Sequence, residues 1–109
     1  MSYRILVYET IVRESNKSYV IYIPAMAKLP QCETFCCDME DSKIVYRCGE
    51  VCGGRKVKLR RQRTRSYRYS WLAIPVIYAR VLGIEEGTRV RVSFGEDTIT
   101  LEVLGKGEE

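Results

Sequence analysis

Residues 71–103 read WLAIPVIYARVLGIEEGTRVRVSFGEDTITLEV and decide the fold of this chain. The apolar run at 71–74 is typical of a strand. Pro75 suits the first helical position, because it has no N–H to leave unpaired there. Residues 76–82 predict about two helical turns, and Gly83 suits the left-handed position just past a helix end. This segment therefore predicts a strand followed by a very short helix.

Further strands are predicted on both sides of this segment. Residues 89–103 alternate apolar and polar side chains, with a break at 95–97, which predicts a hairpin with one buried face. Residues 3–12 and 18–23 are rich in β-branched and aromatic side chains and predict an earlier hairpin. Shorter strands are predicted at 34–37, 43–47 and 57–65. We therefore expect a mainly β protein with short helices.

The two halves of the chain repeat one order of parts. SYVIYIP at 18–24 is followed by AMAKL, which can form barely more than one helical turn before Pro30 stops it. YSWLAIP at 69–75 is followed by the helix at 76–82, and a hairpin follows in both halves. We therefore predict two degenerate copies of one unit. The first is residues 1–54, with a cysteine-containing loop and a linker, and the second is residues 55–105. Residues 106–109 are expected to form a tail.

Positive charge is concentrated in one segment. The chain carries 18 Lys and Arg against 14 Asp and Glu, a net charge of +4, yet no acid falls within residues 55–82. Such a segment indicates a polyanionic partner, and a solvated basic loop is the alternative. The interleaved Tyr67, Tyr69 and Trp71 either stack on bases or cover the sheet. Candidate DNA-binding residues from this segment are Lys56, Lys58, Arg60, Arg61, Arg63, Arg65 and Arg68.

Composition also narrows the chemistry. The chain has no histidine, which removes histidine-based acid–base catalysis and histidine metal ligation. Acidic residues cluster beside predicted turns, where solvated faces are the simpler interpretation, so we expect no enzyme and no cofactor. No apolar stretch approaches the ~20 residues of a membrane span, and no signal-peptide pattern is present, so we expect a cytoplasmic protein. Few side-chain amides and many charges indicate a heat-loving source.

Five cysteines leave three interpretations open: Cys32, Cys36, Cys37, Cys48 and Cys52. Their spacing permits a zinc site but is not diagnostic of one. A disulfide, for example Cys48 with Cys52 or Cys32 with Cys36, suits a heat-loving organism. Free buried thiols are the third interpretation. A catalytic thiol is disfavoured, because no histidine exists to activate it.

The segment IPV…RVLGIEEG…VRV…DTITL between residues 74 and 101 resembles the AbrB/SpoVT and MazE-type swapped-hairpin DNA-binding domains. Their pattern is a strand ending in Ile-Pro, a short helix with arginine, Leu-Gly-Ile, a turn and a closing hairpin. The match over residues 70–103 needs no gap. Residues 10–24 are similar to the opening hairpin of the same family. A tandem of two such units in one chain would be similar to the MraZ-type proteins.

This resemblance implies that two hairpin units interleave into a small β-barrel, normally within a homodimer, and bind DNA through basic residues. By position these residues are Arg13 on the opening strand and Lys28 and Arg80 on the short helices. In the second copy, Arg63 and Arg65 flank the opening-strand position. The chain departs from the family in lacking the usual glycine of the opening turn and, in its first copy, Leu-Gly-Ile. Cysteines are not a family feature.

The leading hypothesis is a sequence-specific double-stranded DNA-binding protein that regulates transcription. One alternative is an antitoxin or other protein-interaction module whose acidic C-terminal part neutralises a toxin, although the tail after Leu104 is short for that role. The other alternative is a single-stranded nucleic-acid binder that uses the aromatic side chains.

Overall fold

Alternation of apolar and polar residues produces ten strands and one helix in the part of the chain that the computed structural model describes, residues 6–49, 53–63 and 68–106. The elements are β1 (Val7–Ile11), β2 (Arg13–Ser15), β3 (Ser18–Ile23), β4 (Thr34–Glu40), β5 (Lys43–Cys48), β6 (Arg55–Lys58), β7 (Arg60–Arg63), β8 (Arg68–Ile74), α1 (Val76–Leu82), β9 (Thr88–Phe94) and β10 (Thr98–Lys106). The prediction of a mainly β chain is confirmed.

The strands form two antiparallel sheets. The large sheet has the order β1-β9-β10-β5-β4-β6, and the small sheet has the order β2-β3-β8-β7. Both sheets contain strands from both halves of the chain. In the large sheet β5 pairs with β10, and in the small sheet β3 pairs with β8. The hydrogen bonds between these central strands join the two halves.

Opening strands pair with the hairpin of the opposite half. β1 pairs with β9, and β6 pairs with β4. Each opening strand then crosses to the small sheet after a single residue, Val12 or Leu59. The N–H of Val12 donates to the carbonyl of Thr88, and the N–H of Leu59 donates to the carbonyl of Glu33, both at 2.8 Å. The strand continues beyond these residues as β2 or β7.

The two sheets are open, so the predicted closed barrel is absent from the described residues. Pairing with β9 ends at Ile11, and pairing with β3 begins at Arg13, so the ladder stops between the sheets instead of bending around continuously. The short helix expected at 25–29 is also absent. The backbone there makes a tight turn instead, in which the N–H of Ala27 donates to the carbonyl of Pro24 at 3.1 Å. Lys28 therefore does not lie on a helix.

One apolar core fills the space between the sheets. Ile21 and Leu72 face each other at the centre of the β3–β8 pair, and both are fully buried. Burying a side chain of this size stabilises the fold by about 1.5–3 kcal/mol. Tyr46 of β5 reaches from the large sheet and donates a hydrogen bond to the carbonyl of Ala73 at 2.9 Å. The sheets are thus joined by polar as well as apolar contacts.

The predicted helix is confirmed, with bounds of 76–82. Pro75 lies one position earlier than expected, as the residue that caps the N-terminus. Gly83 adopts φ 71°, and the N–H of Ile84 donates to the carbonyl of Ala79 at 2.8 Å. These are the bonds expected of a glycine-terminated helix. Ala79 alone of the helical residues is buried.

The cysteines form a disulfide that neither example pairing anticipated. Cys32 bonds to Cys48, 16 positions along the chain, with a Cα–Cα distance of 6.0 Å. The bond ties the loop after β3 to the end of β5, and it removes two of the thiolates that a zinc site would need. Cys36 is also disulfide-bonded, whereas Cys37 is a free, buried thiol.

We predict that loss of the Cys32–Cys48 bond destabilises the protein by about 3 kcal/mol, because a loop of this length restricts the unfolded chain by that amount. Urea unfolding of Cys32→Ser, Cys48→Ser and the double variant measures the effect. The double variant should lose no more than either single one, because each single change already breaks the bond. Additive losses would contradict this origin of the stability.

Stability should also fall in alkali. Burial raises the pKa of Cys37 from 9.0 to about 12, and burial also raises the pKa of Tyr46. Because the unfolded state ionises first, the stability held below pH 9 is lost as the pH rises from 9 to 12. Urea unfolding across this window should show the decline, and Cys37→Ala should make it shallower. An equally steep decline in that variant would exclude Cys37 as a contributor.

Candidate nucleic-acid interface

The outer face of the small sheet carries three aromatic side chains. In β3, Ile21 points into the core, so alternation turns Tyr22 outward. In β8, buried Leu72 turns Tyr69 and Trp71 to the same outer side. Since Tyr22 and Trp71 are direct cross-strand partners, the three rings meet.

The three rings form a contiguous group, which we call the aromatic trio (Tyr22, Tyr69 and Trp71). Ring centroids lie 5.5 Å apart for Tyr22 and Tyr69, 5.8 Å for Tyr69 and Trp71, and 6.4 Å for Tyr22 and Trp71. The first pair meets edge to face, an arrangement that aromatic quadrupoles favour. Tyr22 is 39% exposed. The trio therefore presents ring surface to solvent while its members hold one another in place.

Exposed arginines flank this face on both edge strands. Arg13 of β2 lies opposite Val20, and Arg60 of β7 lies opposite Trp71. Glu14 of β2 is exposed but pairs with Tyr19 on the other face, so no acidic residue of the described small-sheet strands shares the face of the aromatic trio. The register also corrects the sequence alignment. Arg60 follows the crossing residue of its strand as Arg13 does, so Arg60, and not the position between Arg63 and Arg65, corresponds to Arg13.

The β7–β8 pair extends beyond its neighbour. β3 ends at Ile23, opposite Ser70, but β7 and β8 continue to pair at Gln62–Tyr69 and Arg63–Arg68. We call residues 60–63 and 68–71 the basic ribbon. Within the described residues this extension is two-stranded, and arginine stands at both positions of its last described pair. Arg61 has a carboxylate of Glu33 at 4.0 Å, and both side chains are more than half exposed.

The other predicted cations lie elsewhere. Val57 points into the core, so Lys56 and Lys58 face outward from the large sheet, on the side away from the aromatic trio. Arg80 is exposed on α1, and Lys28 is exposed in the loop after β3. Arg65 and Tyr67 lie outside the described residues. The basic segment therefore does not form one surface: it follows a strand that crosses from one sheet to the other.

On the outer face of the large sheet, Arg91 and Arg47 have acidic partners. Arg91 contacts Glu9 at 3.2 Å and Glu102 at 3.6 Å. Arg47 forms two hydrogen bonds to Glu40, and these hold the pKa of that carboxyl below its usual value. These ion pairs lower the net positive charge around Arg91 and Arg47.

A groove of about 490 Å³ opens beside the aromatic trio, and we call it the tyrosine groove. The Tyr8 hydroxyl donates to the carbonyl of Tyr22 at 2.6 Å. Burial raises the pKa of Tyr8, so this hydroxyl remains a donor at any physiological pH. The groove is lined by Tyr8, Thr10, Tyr22, Ile23, Pro24 and Tyr69.

Sequence reasoning singled out Tyr69 and Trp71 but missed Tyr8 and Tyr22. Alternation in 18–23 alone could have placed Tyr22 on the face opposite the buried isoleucines. Its position beside Trp71 required the β3–β8 register, which joins residues about fifty positions apart. Tyr8 needed the path of β1 past the end of β3. The sequence therefore contained a signal for the outward orientation of Tyr22, but none for its closeness to Trp71.

No protein-family model, curated protein or solved structure matches this chain. Within the described ranges, no cluster of cysteines and carboxylates could hold a metal ion. In the part of the chain that the structure describes, no helix is long and apolar enough to cross a membrane.

Removing the charge of Glu33 should strengthen binding to a polyanion, because its carboxylate is the one near Arg61. We expect Glu33→Gln to elute from a heparin column at higher salt, with a stability change below about 1 kcal/mol, as for other surface pairs. The matched control is Glu40→Gln, which removes the same charge beside Arg47 on the opposite face. Equal shifts for both variants would mean that net charge, and not the basic ribbon, determines retention.

Proposed function

We propose that this chain is a sequence-specific double-stranded DNA-binding protein of the swapped-hairpin type that regulates transcription in the cytoplasm. The observation that carries the proposal is the basic ribbon, a two-stranded extension with arginines at its last described pair and an aromatic face beside it. The major groove of B-DNA is about 12 Å wide and admits a two-stranded ribbon.

The chemistry of the ribbon suits both kinds of DNA contact. Arginine bridges the O6 and N7 atoms of guanine with two hydrogen bonds, which distinguishes guanine from other bases. Arginines at the sides of the ribbon would contact phosphates and fix the orientation of the protein without reading sequence. Arg63 and Arg68 form the last described pair of the ribbon and are the candidates for base contacts, whereas Arg60 of β7 and Arg13 of the opposite edge strand β2 are the candidates for phosphate contacts.

The strand exchange supports the swapped-hairpin part of the proposal. In the family that residues 74–101 resemble, hairpins from two units interleave. Here β1 pairs with β9 and β6 pairs with β4, which is the same relation between two halves of one chain. A second copy of the chain would supply a second basic ribbon, and two ribbons could engage two half-sites. We therefore propose a homodimer on DNA.

Replacing ribbon arginines should weaken duplex binding. We expect Arg60→Ala and Arg63→Ala to lower affinity for a labelled random-sequence duplex. Because Arg60 is the candidate phosphate contact of the two, Arg60→Ala should also reduce the slope of log affinity against log salt by about 0.9. Arg91→Ala is the matched control, because it removes the same charge on the outer face of the large sheet. Fluorescence anisotropy at several salt concentrations measures both quantities.

If Arg63 reads bases, its replacement should also alter sequence selectivity. Enrichment from a randomised duplex pool should return a consensus for the native protein and a relaxed consensus for Arg63→Ala. Equal weakening by Arg91→Ala and Arg63→Ala, or absence of any enriched sequence, would contradict the proposal.

A further inference from the structure

We infer that the tyrosine groove binds one unpaired nucleobase of the DNA that the basic ribbon contacts. This inference rests on the proposed function, because the ribbon supplies the phosphate contacts. It adds a second mode of recognition, in which a base outside the helical stack is held against tyrosine rings.

The lining of the groove selects a flat, uncharged group. Its walls include the rings of Tyr8, Tyr22 and Tyr69, and none of its lining residues is charged. A phosphate would find no cation inside, whereas every base has a π-face that can stack on an aromatic ring. The volume of about 490 Å³ is within the range of small-molecule sites. A nucleobase therefore fits the chemistry better than the charged backbone does.

Hydrogen bonding fixes one wall of this groove. The Tyr8 hydroxyl is committed to the carbonyl of Tyr22, which holds the Tyr8 ring against the end of β3. The Tyr8 ring also stacks on Phe94, with centroids 5.9 Å apart. A wall held in this way loses little conformational entropy when a base stacks on it.

The phosphate-binding side chains lie at a suitable distance. Tyr22, Trp71 and Arg60 stand in one row across β3, β8 and β7. Neighbouring strands are about 4.8 Å apart, so the backbone of Arg60 lies about 10 Å from that of Tyr22. When a base lies in the groove, the DNA backbone that carries it therefore lies close to the exposed side chain of Arg60. One nucleotide segment could engage both.

The opposite half of the fold offers an internal comparison. A groove of about 370 Å³ occupies the corresponding place there, and it has Arg55 and Ala73 where the tyrosine groove has Tyr8 and Tyr22. Its lining has no aromatic ring: Arg55, Lys56, Val57, Ala73, Pro75, Val76 and Ile77. The same backbone frame therefore provides one groove suited to stacking and one that is not.

Two DNA probes test the inference: a fully paired duplex and the same duplex with one unpaired adenine. Trp71 is the only tryptophan in the chain and belongs to the aromatic trio, so its fluorescence reports a base stacked nearby. We expect the native protein to bind the bulged probe about ten-fold more tightly than the paired one, as one stacked base would contribute. Quenching of Trp71 should be larger with the bulged probe.

Three variants locate the effect. Tyr22→Leu should abolish the preference, so that the bulged and the paired probes bind with equal affinity, and Tyr22→Phe should retain the preference because the ring remains. Val76→Ala, in the comparison groove, should retain it as well. Thermal unfolding of each variant confirms that the fold is intact.

The outcomes separate this inference from the proposed function. Equal affinity of the native protein for the two probes, with Arg63→Ala weakening both, overturns the base site and leaves duplex binding in place. Binding of the bulged probe alone supports the base site and overturns the duplex proposal. Loss of the preference in Val76→Ala as well as Tyr22→Leu overturns the assignment to the tyrosine groove. Failure to bind either probe overturns both.

Discussion

The exchange of opening strands at Val12 and Leu59 is the constraint on which the rest of the structure depends. Both residues are buried, and both donate a backbone hydrogen bond to the segment that begins the hairpin of the opposite half. The large sheet contains two hairpins, β4–β5 and β9–β10. The strand that covers the outer side of each hairpin, β6 or β1, comes from the opposite half of the chain. If either crossing failed, β9 or β4 would become an unpaired edge, and the core between the sheets would open to water. The two halves therefore stabilise each other.

This exchange produces a symmetric frame that carries different side chains. Arg13 and Arg60 both follow a crossing residue and occupy matching positions on opposite edges of the small sheet. Around them the halves diverge, since Tyr22 in one half corresponds to Ala73 in the other. The backbone thus provides two similar surfaces, and among the described residues one of them carries the aromatic side chains. A frame fixed by backbone pairing tolerates such divergence because the outward side chains contribute little to the core.

Local sequence patterns predicted the helix and strands well, but they could not predict which distant segments pair with each other. Pro75 and Gly83 bracket a helix whose bounds follow from φ preference and a missing N–H. The Cys32–Cys48 bond joins residues 16 apart, and no local rule distinguishes it from shorter pairings. The alignment of Arg13 with residue 64 was wrong because the β7–β8 connection is longer than the two-residue Asn16–Lys17 turn. A connection of different length shifts every later position without changing the strand pattern.

The path of the strands decides on which surfaces the basic residues of one sequence segment lie. Along β6, alternation directs Lys56 and Lys58 away from the core of the large sheet, and the crossing at Leu59 then carries the next arginines to the small sheet. The positive field is strongest where cations lack acidic partners, and that condition differs between the two outer faces. Arg91 and Arg47 are held by carboxylates, whereas no acidic residue of the described small-sheet strands shares the face of Arg60, whose direct cross-strand partner is Trp71. The crossing of one strand therefore places Arg60 beside the aromatic trio, and the proposed recognition of a polyanion depends on this placement.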